Sequence, residues 1–488
     1  MNHRVANFSF SILALLLGGC VSNPMRQYDG ELKETVQLVK NGSVKQAVAQ
    51  LEKNNEPGAL SKDKDILYYF EKGELLTFDS NYPGAKESWL KADGVVREWE
   101  DSVKTDSSKV MGDVGSFLIN DKTRRYDGQD YEKVMLSTNL ALSHIMQGNP
   151  NDARVEMKKT VERETLIKSF REKEYDKLQD DSKKQNVSTS VKDMKGYPME
   201  DLDTPEVNGL KNGFQNAFAH YLAGYFFEVN GEPSMAEPGY RNAATLAPNS
   251  QIVKAGLRDI NTRRRPGAQE SDVLFVIESG FAPSWKSITV PIPVPLHTGL
   301  VVTPLSFPII KSENKGFVPP SLAVAGKQLP VETLTNIDAM ARRQLKDQMP
   351  GILLRTVIRA VLKSVAQDQA NKGGLVLGIA ANVAATVSEQ ADDRSWRTLP
   401  EKISVARAIL PQGKQTIEFQ TGTGSFKKEV EIGNRFSIIP IRITGGAVYV
   451  GQPNSIGVYT PEVVAEPPLP PKAVPKKPVK KPAKKAGT

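Results

Sequence analysis

Apolar residues recur with a period near 3.6 along the first half of the chain and with a period of two along the second, and the change falls at residue 263. In the first half the small residues are as telling as the large ones. From Phe214 to Asn249, Gly224 and Ala236 stand where the two antiparallel helices of a tetratricopeptide pair must approach closely. Ala243 makes room for a further pair, Pro248 stops the second helix, and Tyr221, Phe227 and Tyr240 fill the slots between. A pair like this cannot bury its own apolar face, so it predicts neighbours. The chain supplies them at Leu32–Leu51, at Ile66–Val96 (Tyr69, Gly73, Leu76, Ala85, Trp89, Ala92) and at Tyr131–Thr160 (Leu140, Ala141, Ala153, Met157). Their uneven spacing predicts a short, interrupted array. The interruptions are Asp101–Gly128 and Asn186–Gly209; between them Asn151–Gln185 reads as a long charged helix with the stripe Val161, Ile167, Phe170 and Leu178.

Arg263-Arg264-Arg265-Pro266-Gly267 ends the helical pattern. Its three arginines either hold lipid or glycan phosphates or pair with Glu270 and Asp272. Short strands follow: Val273–Glu278, Ile288–Leu296, one or two within Leu322–Asn336, then Ile403–Ile409, Gln415–Gln420, Phe426–Ile432, Phe436–Ile443 and Ala447–Val450. Turn residues separate the later ones, and the number and length fit an antiparallel sandwich. In Ile288–Leu296, Pro291, Pro293 and Pro295 alternate and blank one strand edge. That makes it an edge strand or polyproline segment, protected or offered to another protein. A helical insertion, 338–390, divides the strands. It comprises Asp338–Asp347, then Ile352–Gln369 after Pro350 with a cationic line (Arg355, Arg359, Lys363), then the apolar Gly373–Val387. The last segment is too short to span a bilayer, which takes about 20 residues; it is either a buried helix or one arm of a hairpin that docks on a membrane or an oligomer partner. The expected fold is α+β: a tetratricopeptide-like array over 28–262, a linker over 263–272, and a β-rich domain over 273–460.

Both ends depart from this pattern. Residues 1–19 have Arg4, an apolar run from Phe8 to Leu17, and then Leu17-Gly18-Gly19-Cys20. This resembles a bacterial lipobox, which implies cleavage between Gly19 and Cys20 and acylation of Cys20. Cys20 is the only cysteine, so it has no disulfide partner and there is no cysteine-based zinc site. Val21 in place of Asp implies, by the lipoprotein sorting rule, the outer membrane. Residues 20–27 then form a short tether. At the other end, residues 461–488 carry seven lysines against Glu462 and Glu466, spaced by prolines, and this tail should stay extended. It either contacts anionic glycan such as peptidoglycan or serves as a spacer. The tail accounts for most of the net charge of +8, which leaves the body nearly neutral and gives no basis for nucleic-acid binding.

No phosphate-binding, dinucleotide, zinc-protease or nucleophile-elbow motif occurs. The four histidines are scattered, and Thr421-Gly422-Thr423-Gly424-Ser425 reads as a hairpin loop. The expectation is no enzyme, no cofactor and no metal.

Three stretches, Tyr126–Leu142, Gly148–Lys159 and Phe214–Gly231, together with Arg394–Gly413, resemble a family of largely uncharacterised bacterial envelope lipoproteins with tetratricopeptide-like repeats. The resemblance implies an architecture, a compartment and gene neighbours among activators of peptidoglycan synthases; it implies no catalytic residues. In each repeat the first helix lines the inner groove, which places Phe70, Phe78, Thr138, Leu142, Tyr221 and Tyr225 there. They either bind a partner segment or pack against the neighbouring helix or the β half. The function expected is a periplasmic scaffold, anchored in the outer membrane, that holds an envelope protein of cell-wall synthesis or export. The alternative is a glycan- or lipid-binding module acting through the tail and the 352–387 segment.

Overall fold

A computed structural model describes residues 28–56, 64–111, 125–184, 190–191, 194–296, 299–313, 315–372, 391–451 and 454–455. Gly19, Cys20, the segment Gly373–Val387 and the tail 461–488 lie outside the described residues.

The four expected helix pairs form: α1 (Tyr28–Lys40) with α2 (Val44–Asn54), α3 (Ile66–Phe78) with α4 (Tyr82–Met111), α5 (Asp130–Met146) with α6 (Pro150–Lys184), and, after a short α7 (Pro205–Asn208), α8 (Ala217–Val229) with α9 (Pro233–Leu246). A last helix, α10 (Gln251–Arg258), closes the array. Side-chain caps start several of them: Asp65 accepts from the Tyr68 N–H, Asn216 from Ala219 and Ser250 from Val253. The small residues act as expected. A Cβ on Gly73 would lie 2.2 Å from Trp89 Nε1, and one on Gly224 would lie 2.7 Å from the Tyr240 ring. A buried ion network joins the second and third pairs: Arg163 donates to Asp93, to Glu100 Oε1 at 2.6 Å and to the Lys133 carbonyl at 3.2 Å. Burial opposes charge on Asp93, yet Arg163 and Lys159 outweigh it and hold that carboxyl below its ordinary range.

Two local expectations change. α4 continues to Met111, well into the segment expected to be an interruption, with a non-helical residue at Asp106. On α6, Ile167, Phe170 and Leu178 are buried as expected, but Val161 is exposed.

The β half adds two stacked sheets and a separate hairpin. Strands β1 (Glu270–Ser279), β7 (Lys402–Pro411), β6 (Glu332–Asn336), β10 (Phe436–Ile443) and β11 (Val448–Val450) form the larger sheet, in the order β11-β10-β1-β7-β6, with the two-residue β12 (Asn454–Ser455) also on β10. Strands β5 (Lys327–Pro330), β4 (Ser321–Val324), β8 (Gly413–Thr421) and β9 (Gly424–Ile432) form the smaller one. The sandwich contains one parallel pair, β1 with β10, where antiparallel pairing was expected. On β1 the period-two pattern divides two cores: Val273, Phe275 and Ile277 face the smaller sheet, whereas Leu274 and Val276 join the helical core. The array and the large sheet therefore share one apolar core. The boundary at 263–272 is a change of element type and not a gap in packing, and β1 begins inside it, at Glu270.

Strand β2 (Ser284–Leu296) pairs along its full length with β3 (Gly299–Lys311), which the sequence pattern did not reveal. The helical insertion begins as one helix, α11 (Ile337–Lys372), which runs through Pro350 instead of breaking there. Proline removes one helical hydrogen bond, but Met349 and Leu353 on either side are buried in the core, which holds the two segments in line.

Candidate functional site

The concave face of the array is occupied by the chain's own segment Asp392–Leu399. This stretch is irregular, so its buried main-chain N–H groups need partners outside a ladder. Two helical carboxylates supply them. Glu132 on α5 accepts from the Trp396 N–H at 2.6 Å, and Glu71 on α3 accepts from the N–H groups of Arg397 at 2.6 Å and Thr398 at 3.0 Å. Each carboxylate has further donors: Tyr28 Oη for Glu71, and Tyr126 Oη and the Gln129 N–H for Glu132. Burial pushes both carboxyls up to about 7, against the pull of these hydrogen bonds. Between them Trp396 lies fully buried, stacked on Phe70 with ring centroids 4.4 Å apart and meeting Trp89 at 6.1 Å.

The six residues expected to line a partner groove are all buried by this chain. Phe70 holds Trp396. Phe78 packs on Tyr449 at 5.1 Å and beneath the Arg442 guanidinium. Thr138 donates to the Val134 carbonyl of its own helix, and Leu142 lines a hollow that strand β10 also borders. Tyr221 meets Tyr240 edge-on, and Tyr225 Oη donates to the carbonyls of Asp272 and Ser437, on the adjacent strands β1 and β10. Of the two readings offered for these residues, packing within the chain describes what they do here: Phe70, Phe78 and Tyr225 meet Trp396 and the large sheet, and Tyr221 meets the neighbouring helix.

Residues not singled out from the pattern do much of this work. Arg407 on β7 makes a two-pronged pair with Asp272, at 2.9 and 2.6 Å, and reaches Glu228 at 2.9 Å, where Arg263 also binds. Burial raises Glu228, but the two arginines outweigh it and hold the carboxyl low. Of the arginine triplet, Arg264 pairs with Glu270 as one reading expected. Asp272, the other expected partner, is taken by Arg407.

Two hollows remain. A cavity of about 40 Å³ lies among α3, α4, α5 and the large sheet, bordered by Glu74, Glu278 and Arg442. Glu74 accepts from Asn139 at 3.1 Å; burial, the Glu278 charge and Glu71 push its carboxyl well above the ordinary range. Arg442 donates to the Thr398 carbonyl at 2.8 Å and lies between the rings of Phe78 and Phe281.

A larger cleft, of about 250 Å³, opens between α4, α6 and α11. Its charges are paired within the walls: Arg171 grips Asp130 at 2.7 and 2.8 Å, and Gln348 donates to the same carboxylate at 3.2 Å. Lys133 is buried over the Trp99 ring at 4.4 Å, and that burial lowers its pKa despite Asp130 and Asp127. Tyr175, 40% exposed, stands at the mouth. Among the described residues no group of histidines and carboxylates is arranged to hold a metal ion. His220 instead contacts Glu164 at 3.1 Å between helices.

No protein-family model matches the chain, and no curated protein matches it. Among solved structures, it is similar to the C-terminal part of a TPR repeat-containing protein from Cytophaga hutchinsonii, at 13% identity and a TM-score of 0.13, over 46% of this chain and 84% of that one. The superposition is too loose to bear on the fold, which rests on the helix pairing described above.

Proposed function

We propose that the chain is a lipoprotein held by acylated Cys20 at the periplasmic face of the outer membrane. There it acts as a non-catalytic scaffold for an envelope assembly in cell-wall synthesis or export. The observation that carries this reading is the use made of the buried acids: Glu71 and Glu132, both fully buried, are taken up in holding main-chain N–H groups in a continuous core. A body of this kind offers outer surfaces to a partner, and the partner engages those surfaces and not the concave face. In-cell photo-crosslinking from position 175, at the cleft mouth, tests it. One envelope protein should be trapped, and Cys20→Ala, which releases the anchor, should abolish the product. Hydrolysis of purified peptidoglycan by the isolated protein would overturn the non-catalytic assignment.

The cleft supports a second reading, a glycan-binding module. Ring surfaces from Phe170 and Tyr175 lie beside guanidinium, amide and carboxylate groups already paired with one another, an arrangement that suits an uncharged polar ligand. Binding of this kind should persist at high salt, whereas binding through the lysine tail should weaken steeply.

A further inference from the structure

Between Lys286 and Lys311 the chain has no Asp, Glu, Lys or Arg. This uncharged run forms the β2–β3 hairpin, a two-stranded sheet on its own. Its register sets Pro291 opposite Pro304, Pro293 opposite Val302, Pro295 opposite Leu300 and Pro308 opposite Ser287. All five prolines thus fall in alternate pairs, those whose N–H groups would point away from the partner strand. The three on β2 blank the half of its outer edge nearest the turn, and Pro304 and Pro308 interrupt that of β3, which disfavours strand addition as a mode of binding. The inner face, with Val290, Ile292, Leu305 and Phe307, belongs to the core shared with α11. What remains is the far end, where Leu300, Val301 and Val302 are 74, 39 and 66% exposed. Single exposed apolar residues are ordinary; three in succession at the end of an uncharged arm are not.

The arm's base lies beside the start of α1. Lys286 pairs with Asp29 at 4.0 Å, and Arg397 reaches the same carboxylate at 3.0 Å. Nine residue steps lead from Cys20 to Asp29, a reach of up to about 30 Å, and ten from Lys286 to Leu296, about 33 Å of strand. The tip is therefore within reach of any bilayer that holds Cys20.

We propose that the β2–β3 tip, Leu300–Val302, dips into the bilayer that carries the Cys20 acyl chains and gives the body a second, orienting membrane contact. The proposal rests on the lipid-anchor reading, because acylation is what brings the tip to the membrane. No Asp, Glu, Lys or Arg has to leave water on entry, and Pro293 and Pro295 remove from the β2 side of the tip N–H groups that would lack partners in lipid.

Because Cys20 is the only cysteine and its thiol is acylated, Leu300→Cys in the full acylated chain accepts a single environment-sensitive fluorophore. In phosphatidylethanolamine–phosphatidylglycerol vesicles, emission should shift to the blue, and brominated lipid chains should quench it at least threefold. The same label at Ser425→Cys, on the four-stranded sheet, should show neither effect, and adding Val302→Asp should cut the quenching at position 300 at least threefold. Water-like emission from position 300 would overturn the proposal. So would equal shielding without vesicles, which would assign the tip to a second copy. Mass spectrometry of the Cys20 lipid tests the anchor separately. If the chain is unacylated, the mature protein with Cys20→Ser, tethered by an N-terminal histidine tag to nickel-chelating lipid in the same vesicles, gives the same readout for the tip.

Discussion

Glu71 and Glu132 each replace a missing strand: they accept main-chain N–H groups that no ladder reaches. Truncating Glu71 to Ala leaves the amides of Arg397 and Thr398 without acceptors, at about 1–3 kcal/mol each. Urea unfolding should show the loss. The same residues make stability depend on pH. Both folded carboxyls titrate near 7, above the ordinary 4.5, so the folded chain holds these protons more tightly than the unfolded chain. Their contribution is complete below pH 4.5 and is lost as pH rises through 7, with an upper figure of about 3 kcal/mol each. Asp93, Asp130 and Glu228 are held low, so their contribution is present at neutral pH and disappears only as the solution becomes strongly acidic. The wild type should therefore be more stable at pH 5 than at pH 8, and Glu132→Gln should flatten that difference; urea midpoints at the two pH values check it. At residue scale the sequence disclosed the small residues, because close helix approach is a local requirement. It did not disclose Glu71 or Glu132, because a helical glutamate looks alike whether it meets water or a distant main chain.

Among the elements, the helix pairs were legible and the hairpin was only half so. Gly73 marks the tightest of the small-residue approaches: Gly73→Ala sets a Cβ into the Trp89 indole and should cost about 1–3 kcal/mol, read as a lower thermal midpoint. β3 escaped notice because Pro304 and Pro308 look like strand breakers until the register with β2 shows both on an outer edge. The continuity of α11 through Pro350 escaped notice for a related reason, since packing on both sides overrides a local preference. The prolines of β2 carry their own prediction. Replacing Pro291, Pro293 and Pro295 by Thr restores N–H groups to the open edge and should convert a well-behaved protein into one that self-associates, as sedimentation would show.

For the whole molecule, the main lesson is that a repeat array with aromatic inner positions does not reveal from sequence whether its concave face is open. That depends on what a segment more than 250 residues away, Asp392–Leu399, does in space. The resemblance over Arg394–Gly413 drew attention to this segment without showing that it fills the array. Because the helical core and the large sheet are one cluster, the two halves should unfold in a single transition, and a fragment of residues 28–262 should lack fixed tertiary structure by near-ultraviolet circular dichroism.

The filling of the concave face is tested most directly by amide hydrogen exchange at Trp396, Arg397 and Thr398. These three residues lie outside any helix or strand, yet each donates to a buried carboxylate. Their amides should be protected as strongly as those of β1, exchanging only when the whole domain unfolds. Exchange within seconds at neutral pH would mean that the segment leaves the concave face and that the groove is open to a partner after all.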